Sequence, residues 1–141
     1  KKMGLRVAYA AAPFDPERVK AVLEHLDFLI LNAVEAEQLK QATGQGPGDL
    51  GVIDVIVTLG GDGADWYHRG SKEHFAAILV DPVDTTGAGD TFTGYVIAGL
   101  DCGLPMAQAI GLATKAGALM VTRHGTADVI PDLSEVTAFL R

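Results

Sequence analysis

The chain has 141 residues, of which 48% are hydrophobic, and carries a net charge of −7 at pH 7, so it has the length of one compact domain and the acidic balance of a protein that does not bind nucleic acid. The longest apolar region, 106–121, is interrupted by Gln108 and Lys115, which argues against a membrane span. The single cysteine, Cys102, excludes a disulfide or a cysteine metal site within the chain and favours a reducing, cytoplasmic compartment.

The first part of the chain alternates strand-like and helix-like segments. An apolar run at 5–12 predicts a buried strand, and an Asp-Pro pair then opens a helix over 15–25. A second apolar strand is predicted at 27–31. It leads into a helix over 32–44 that begins with the Asn-x-x-Glu pattern of a capping box.

The middle of the chain is predicted to form strands joined by turns. After a Gly/Pro loop, the apolar run at 52–58 predicts a third strand. A glycine-rich turn follows, and the segment 64–68 is predicted to form a hairpin or meander with a segment near 75–80.

The last part of the chain is predicted to be helical. Helices are expected over 87–103 and 105–122, and a capping box opens a final helix over 132–141. Apolar strands that alternate with helices are typical of a mostly parallel sheet covered on both faces. The pattern therefore predicts an α/β fold.

The most informative stretch for chemistry is Gly87-Ala88-Gly89-Asp90, where two glycines flank an alanine directly before a helix. The exposed N–H groups of Gly87, Ala88 and Gly89 can converge with the helix dipole on an anion, such as a phosphoryl group in transfer. Asp90 in the first helical turn can point its carboxylate into the same pocket. The alternative is that Asp90 only caps the helix and that the glycines only permit a turn.

Four segments together resemble the ribokinase (PfkB) family of carbohydrate kinases. The stretch 84–92 (DTTGAGDTF) resembles the family's Asp-Thr-x-Gly-Ala-Gly-Asp fingerprint, and 32–36 (NAVEA) its Asn-x-x-Glu-Ala element. The stretch 58–63 is similar to the Thr-x-Gly-x-x-Gly nucleotide turn, and 121–125 to the Val-Thr-Arg-x-Gly pattern that precedes a proline.

The resemblance implies a ribokinase-like three-layer sandwich, with a mostly parallel sheet and helices on both faces. It implies transfer of phosphate from ATP to a sugar hydroxyl, with ribose or a related carbohydrate as acceptor. Asp90 would act as the base, and the amides of Gly87, Ala88 and Gly89 as the anion hole.

Nucleotide and Mg²⁺ positions follow from the same resemblance. Asn32 and Glu35 would orient Mg²⁺ through its waters, although the two residues fit equally well as the N-cap and N3 residues of a helix. A buried Thr114 would flank the adenine, or would simply pack. The remaining positions, facing the triphosphate and ribose, would be Thr58, Gly60 and Gly63.

A monovalent cation, K⁺, is implied beside the anion-hole loop, bound largely by carbonyl oxygens. One departure from the family weakens this implication: Val129 stands where those kinases usually offer a serine hydroxyl. The implied cation positions are Asp84, Thr86, Met120, Arg123 and Gly125.

The resemblance covers the whole chain, 1–141, but corresponds to the C-terminal, nucleotide-binding half of a family member. The N-terminal half that grips the sugar and closes over it as a lid has no counterpart here.

We expect the open strand edge near 5–12 to pair with another strand, as in a homo-oligomer. An alternative function is a catalytically inactive nucleotide-binding or oligomerising fragment; a dinucleotide-binding domain is disfavoured because no GxGxxG follows the first strand.

Overall fold

The computed structural model describes residues 3–139 and divides the chain into two compact units, 1–76 and 77–141. The second unit is helical, with α3 (Ala88–Asp101), α4 (Met106–Met120) and α5 (Leu133–Ala138). The first unit contains β1 (Ala8–Ala10), α1 (Pro16–Val22), β2 (Phe28–Asn32), α2 (Ala33–Thr43), β3 (Asp54–Thr58), β4 (Ala64–His68) and β5 (Ser71–Phe75).

The strands of the first unit form one sheet in the order β1-β2-β3-β4-β5. β1, β2 and β3 pair in parallel, whereas β3, β4 and β5 pair antiparallel. The predicted α/β class is confirmed, with the correction that the sheet is mixed and its parallel part is limited to β1–β3. The reason is that the connections β3–β4 and β4–β5 are too short for a parallel crossover.

The predicted meander after β3 is confirmed, but its last strand is Ser71–Phe75 rather than a segment near 75–80. Arg69 and Gly70, which join β4 to β5, both have positive φ, of 47° and 81°. Two such residues form the tight hairpin turn that matches the twist of paired strands. The turn therefore places the strand directly after Gly70.

Helix caps follow the predicted residues closely. The Asn32 side chain accepts from the Glu35 N–H at 2.9 Å, and the Glu35 carboxylate accepts from the Asn32 N–H at 2.8 Å. Asp132 and Glu135 form the same reciprocal pair at the start of α5, with both distances 2.9 Å. Both predicted capping boxes are confirmed, while the predicted helix end at Arg141 lies outside the described residues.

One face of the sheet carries the apolar core of the first unit. Side chains from the middles of β2 and β3 pack against α1 and α2 on this face, and burying each such side chain stabilises the fold by about 1.5–3 kcal/mol. This packing fixes the carboxyl ends of the two strands side by side. The most deeply buried residues of this cluster are Val19, Leu29, Leu31, Leu39 and Val55.

β1 lies at one edge of the sheet and pairs with β2 on one side, with no described strand on the other. The predicted open edge near 5–12 is therefore present, and the strand that would pair with it stays a prediction. Among the described residues, no helix combines the length and the apolarity needed to cross a bilayer.

A buried carboxylate joins the two outer strands. Asp65 on β4 is 6% exposed and lies 2.7 Å from Lys72 Nζ and 2.8 Å from His74 Nδ1, both on β5. Burial alone would raise the pKa of Asp65, but the hydrogen bonds from Lys72 and His74 outweigh it and hold the pKa below its ordinary value of 3.8.

We expect Asp65→Asn to lower the free energy of unfolding by about 1–3 kcal/mol at neutral pH, because a charged partner of Lys72 is removed from a buried position. Since the folded pKa of Asp65 lies below the unfolded one, this contribution is present above pH 3.8 and is lost as the pH falls through the folded pKa. Urea unfolding, followed by the fluorescence of the single tryptophan, Trp66 on β4, measures the effect.

The exposed Glu73 on β5 gives the matched control, Glu73→Gln, for which little change in stability is expected. A difference in the free energy of unfolding between Asp65→Asn and the unmodified chain that stays constant from neutral to acidic pH would contradict this role of the Asp65 carboxylate.

Candidate active site

The turn before α3 is built around Gly87. Gly87 is the N-cap of α3, has a left-handed backbone with φ of 78°, and provides no side-chain cap. A Cβ atom at this position would lie 2.9 Å from Cε of Met120. The left-handed conformation therefore favours glycine here, and a side chain would also have to displace the end of Met120.

The first turn of α3 presents backbone N–H groups. The Ala88 N–H donates to the Thr85 carbonyl at 3.2 Å, which closes the turn. Gly89 and Asp90 follow in the first turn, where N–H groups have no acceptor within the helix. Since Gly87 supplies no capping oxygen, this positive helix end suits an anion.

Asp90 is the third residue of α3 and is exposed at the helix N-terminus. A Cβ atom added to the neighbouring Gly89 would meet no atom within 4 Å, so the space beside the first turn is open. The predicted arrangement of Gly87, Ala88, Gly89 and Asp90 in one compact turn is therefore present.

Met120 supports this turn from the end of α4. Its side chain is 2% exposed and contacts Gly87, and its sulfur accepts a hydrogen bond from the hydroxyl of Thr91, which is 3% exposed. The family resemblance assigns Met120 to the monovalent cation, and only through its carbonyl oxygen. The contact of its side chain joins residues 29 positions apart and leaves no local signal in the sequence.

The segment before the turn is tied to the end of α4. The N–H groups of Val83 and Asp84 donate to the Val121 carbonyl at 2.7 and 3.1 Å, and Asp84 Oδ1 accepts from the Thr86 N–H at 2.9 Å. Hydrogen bonds from the Thr86 backbone and hydroxyl, and then from the Gly125 N–H, lower the pKa of Asp84. The structure thus brings Asp84, Thr86 and Gly125 together.

The other two predicted cation positions lie in the same loop. The Met120 carbonyl accepts from the Arg123 N–H at 3.0 Å. The Arg123 guanidinium donates to the Val129 carbonyl at 3.3 Å and to Glu135 Oε1 at 2.6 Å, so only backbone oxygen of Arg123 is available to a cation. Val129 Cγ1 lies 3.0 Å from a Cβ position built on Gly125, which places a methyl group beside the loop.

Among residues 3–139, no group of three His, Cys, Asp or Glu side chains could hold a metal ion. A cation at the loop would therefore depend on backbone carbonyls and the Asp84 carboxylate. Such hard oxygen donors suit an alkali or alkaline-earth ion.

The predicted nucleotide residues of the first unit lie at one end of the sheet. Asn32 and Thr58 are paired in register as the last residues of the parallel strands β2 and β3. Glu35 is hydrogen-bonded to Asn32, and Gly60 and Gly63 lie in the turn that leaves β3. The carboxyl ends of parallel strands are where open α/β sheets bind ligands.

Two alternatives raised by the sequence are observed. The side chains of Asn32 and Glu35 form a capping box, and a role of these residues toward Mg²⁺ stays a prediction. The hydroxyl of Thr114, half-buried on α4, donates to the Ile110 carbonyl at 2.9 Å, as a packed helical threonine does.

The chain matches a family described as "pfkB family carbohydrate kinase" over residues 1–133. A curated relative, the ribokinase of Staphylococcus aureus (strain COL), is 34% identical over 126 residues, which cover 82% of this chain and 41% of the relative. The chain thus spans less than half the length of that protein.

Solved structures agree. A protein assigned as a ribokinase II from E. coli, in complex with ATP and Mg²⁺, is 32% identical with a TM-score of 0.75, over 86% of this chain and 41% of that one. The nucleoside kinase of Burkholderia thailandensis, in complex with inosine, is 27% identical with a TM-score of 0.85, over 98% of this chain and 50% of that one. With its Gly87 turn and the fold shared with these structures, the chain belongs to the pfkB family of carbohydrate kinases.

Proposed function

We propose that this chain is the C-terminal, nucleotide-binding half of an ATP-dependent kinase that phosphorylates a hydroxyl group of a sugar or nucleoside. The observation that carries the proposal is the Gly87 turn, which combines an uncapped helix N-terminus with an exposed Asp90. Membership of the pfkB family supports the reaction class. The resemblance of the 84–92 motif to the C-terminal fingerprint of the family supports the assignment to the C-terminal half.

In the proposed reaction, the acceptor hydroxyl oxygen attacks the γ-phosphorus of ATP. The new O–P bond forms as the bond between the γ-phosphorus and the bridging oxygen breaks, so that ADP leaves with the electron pair. The Asp90 carboxylate accepts the hydroxyl proton. Phosphoryl transfer passes through a loose transition state, in which the position of the base matters more than its basicity.

The first turn of α3 would stabilise the negative charge of the phosphoryl group. The amides of Gly87, Ala88 and Gly89 are assigned to this anion hole, although the Ala88 N–H also donates to Thr85. Backbone N–H groups and the helix dipole are already oriented before the substrate arrives. They therefore stabilise charge with little reorganisation.

The remaining nucleotide contacts are assigned from the family resemblance. Thr58, Gly60 and Gly63 would contact the triphosphate and ribose, and Thr114 the adenine. Asn32 and Glu35 fit an outer-sphere role toward Mg²⁺, because both carry side-chain oxygens at the carboxyl end of β2. When bound, Mg²⁺ neutralises charge on the β- and γ-phosphates.

K⁺ is the proposed monovalent cation of the 84–86 and 120–125 loops. The carboxylate of Asp84 and the carbonyls of Thr86, Met120, Arg123 and Gly125 are the oxygen donors assigned to it. When bound, K⁺ adds positive charge beside the anion hole. Val129 contributes no side-chain oxygen, so we expect the cation to bind through the other donors alone.

Ribose is the proposed acceptor, supported by the ribokinase relative; a nucleoside is the second choice, supported by the inosine complex. The proposal places the protein in the cytoplasm, since Cys102 is exposed and free. The β1 edge is proposed to pair with a further strand, from the N-terminal half of the enzyme or from a second copy.

A second candidate function is nucleotide binding without catalysis. It is favoured by one observation: the side chains of Asn32 and Glu35, which are assigned to Mg²⁺, are engaged in a capping box. Sugar-dependent release of ADP separates the two candidates. The chain is incubated with ATP, Mg²⁺, K⁺ and either ribose or inosine, and ADP is measured with and without the acceptor.

The kinase proposal predicts ADP in proportion to the acceptor. ATP binding with no acceptor-dependent ADP would support the second candidate instead. Absence of ATP binding by the folded chain would contradict both.

A further inference from the structure

The strongest unassigned feature near the site is a closed set of contacts beneath the Gly87 turn. The Thr91 N–H donates to the Gly87 carbonyl at 2.9 Å, and the Thr91 hydroxyl donates to the Met120 sulfur. The Met120 methyl group in turn packs against Gly87, where an added Cβ would come within 2.9 Å. Each of the three residues therefore contacts the other two.

The direction of the Thr91 hydroxyl is unusual for a helix. A threonine in a helix ordinarily donates its hydroxyl to a carbonyl three or four residues earlier. In α3 the Gly87 carbonyl accepts the Thr91 backbone N–H, while the hydroxyl bonds to α4. One residue thus binds both the turn and the side chain that supports it.

The support depends on this bond because methionine is flexible. A methionine side chain has three rotatable bonds and fills several shapes at similar energy. Met120 is 2% exposed and Thr91 is 3% exposed, so the hydrogen bond is shielded from water. Fixing the sulfur leaves rotation about the Cγ–Sδ bond as the one freedom of the methyl group, which packs against Gly87.

We propose that Thr91 and the Met120 side chain are positioning residues, which together set the Gly87 turn and hence the direction of the first-turn amides toward the transferred phosphoryl group. This inference rests on the proposed function for the identity of the anion. The geometry of the turn is independent of the proposed function. The role of the Met120 side chain is separate from that of its carbonyl.

The test compares Thr91→Val, which keeps the shape and removes the hydroxyl, with Thr91→Ser, which keeps the hydroxyl. Calorimetry gives the affinity for Mg²⁺·ADP with and without beryllium trifluoride, which occupies the place of the γ-phosphate. Beryllium trifluoride is expected to increase the affinity for Mg²⁺·ADP, and this increase is the gain that we compare. We expect Thr91→Val to reduce the gain about fivefold, as loss of one buried hydrogen bond would. Thr91→Ser retains most of the gain, and the affinity for ADP alone stays the same in both variants.

Met120→Leu keeps the volume and removes the sulfur acceptor. If the two side chains act as a pair, the combined effect of Met120→Leu and Thr91→Val on the gain in affinity is smaller than the sum of their separate effects, because either variant alone already removes the bond. A merely structural role would lower the melting temperature of Thr91→Val without changing the trifluoride gain at temperatures where the variant is folded. That result would overturn the inference.

A second readout needs no ligand and separates this inference from the kinase proposal. The amide resonances of Gly87 and Gly89 in a ¹⁵N–¹H spectrum are expected to shift in Thr91→Val and to stay near their original positions in Thr91→Ser. Unmoved resonances in folded Thr91→Val would overturn the positioning role. Shifted resonances in a protein that gains no affinity from trifluoride would support the positioning role and contradict the proposed function.

Discussion

Replacing Asp90 with asparagine is expected to reduce the rate of phosphoryl transfer by about 10²–10⁴-fold, the usual contribution of a positioned general base. Asparagine is nearly isosteric, and Asp90 is exposed in the first turn of α3, so the fold should be unaffected. Affinity for ATP should remain similar or improve slightly, because a negative charge near the phosphates is lost. The measurement is acceptor-dependent ADP release, alongside calorimetric binding of ATP.

The matched control for Asp90 is Asp101, an exposed aspartate at the opposite end of the same helix. Asp101→Asn should leave transfer unchanged and should stabilise α3 slightly, because a negative charge at a helix C-terminus is unfavourable. Equal rates for Asp90→Asn and the unmodified protein would remove Asp90 from the mechanism. Equal losses in both variants would indicate a non-specific effect of charge.

Gly87→Ala should damage the site and the fold together. The left-handed backbone of Gly87 costs a residue with a Cβ about 1–2 kcal/mol, and displacing the Met120 methyl group, the flexible end of a buried side chain, adds about 1 kcal/mol. We therefore expect a loss of about 2–3 kcal/mol in the free energy of unfolding, summed from those two costs. The altered turn should also weaken binding of ADP with beryllium trifluoride.

Gly94 on the same helix provides the comparison. It has an open space for a Cβ and an ordinary helical backbone, so Gly94→Ala should stabilise α3 by about 0.5–1 kcal/mol. Urea unfolding of the two variants measures both effects. A Gly87→Ala variant as stable as Gly94→Ala would show that the turn does not need glycine.

Features determined by neighbouring residues could be predicted from the sequence. The capping boxes at Asn32 and at Asp132 depend on side chains three positions apart, and both form as predicted. β2 and β3 follow from continuous apolar runs, because a strand buried on both faces leaves no polar alternation. The prediction that β1 is a buried strand is wrong: two of its three residues are exposed, because β1 lies at the edge of the sheet. β1 is shorter than predicted, Ala8–Ala10 within 5–12, and pairs with residues 28–30 of β2, although β2 continues to Asn32.

Features determined by distant or polar residues could not be predicted. β5 has the sequence Ser-Lys-Glu-His-Phe, whose polarity resembles a loop, and its position is set by the turn at Arg69 and Gly70. The pairing of Asp65 with Lys72 and His74 depends on the register of that hairpin. No pattern in the sequence indicates it.

The candidate site divides in the same way. The Gly87–Asp90 turn follows from local sequence and forms as predicted, whereas its support by Thr91 and Met120 joins two helices. The sequence suggested two readings of Asn32, and the structure shows the capping one directly. Its assignment toward Mg²⁺ therefore depends on the family resemblance and on the position of Asn32 beside Thr58.

The decisive measurement is a crystal structure of the chain with Mg²⁺, ADP and beryllium trifluoride, because the trifluoride occupies the place of the transferred phosphoryl group. We expect the trifluoride at the N-terminus of α3, accepting hydrogen bonds from the amides of the Gly87–Asp90 turn, with the Asp90 carboxylate facing the side from which an acceptor hydroxyl would attack. Trifluoride bound elsewhere on the folded chain, with the turn unoccupied, would contradict it.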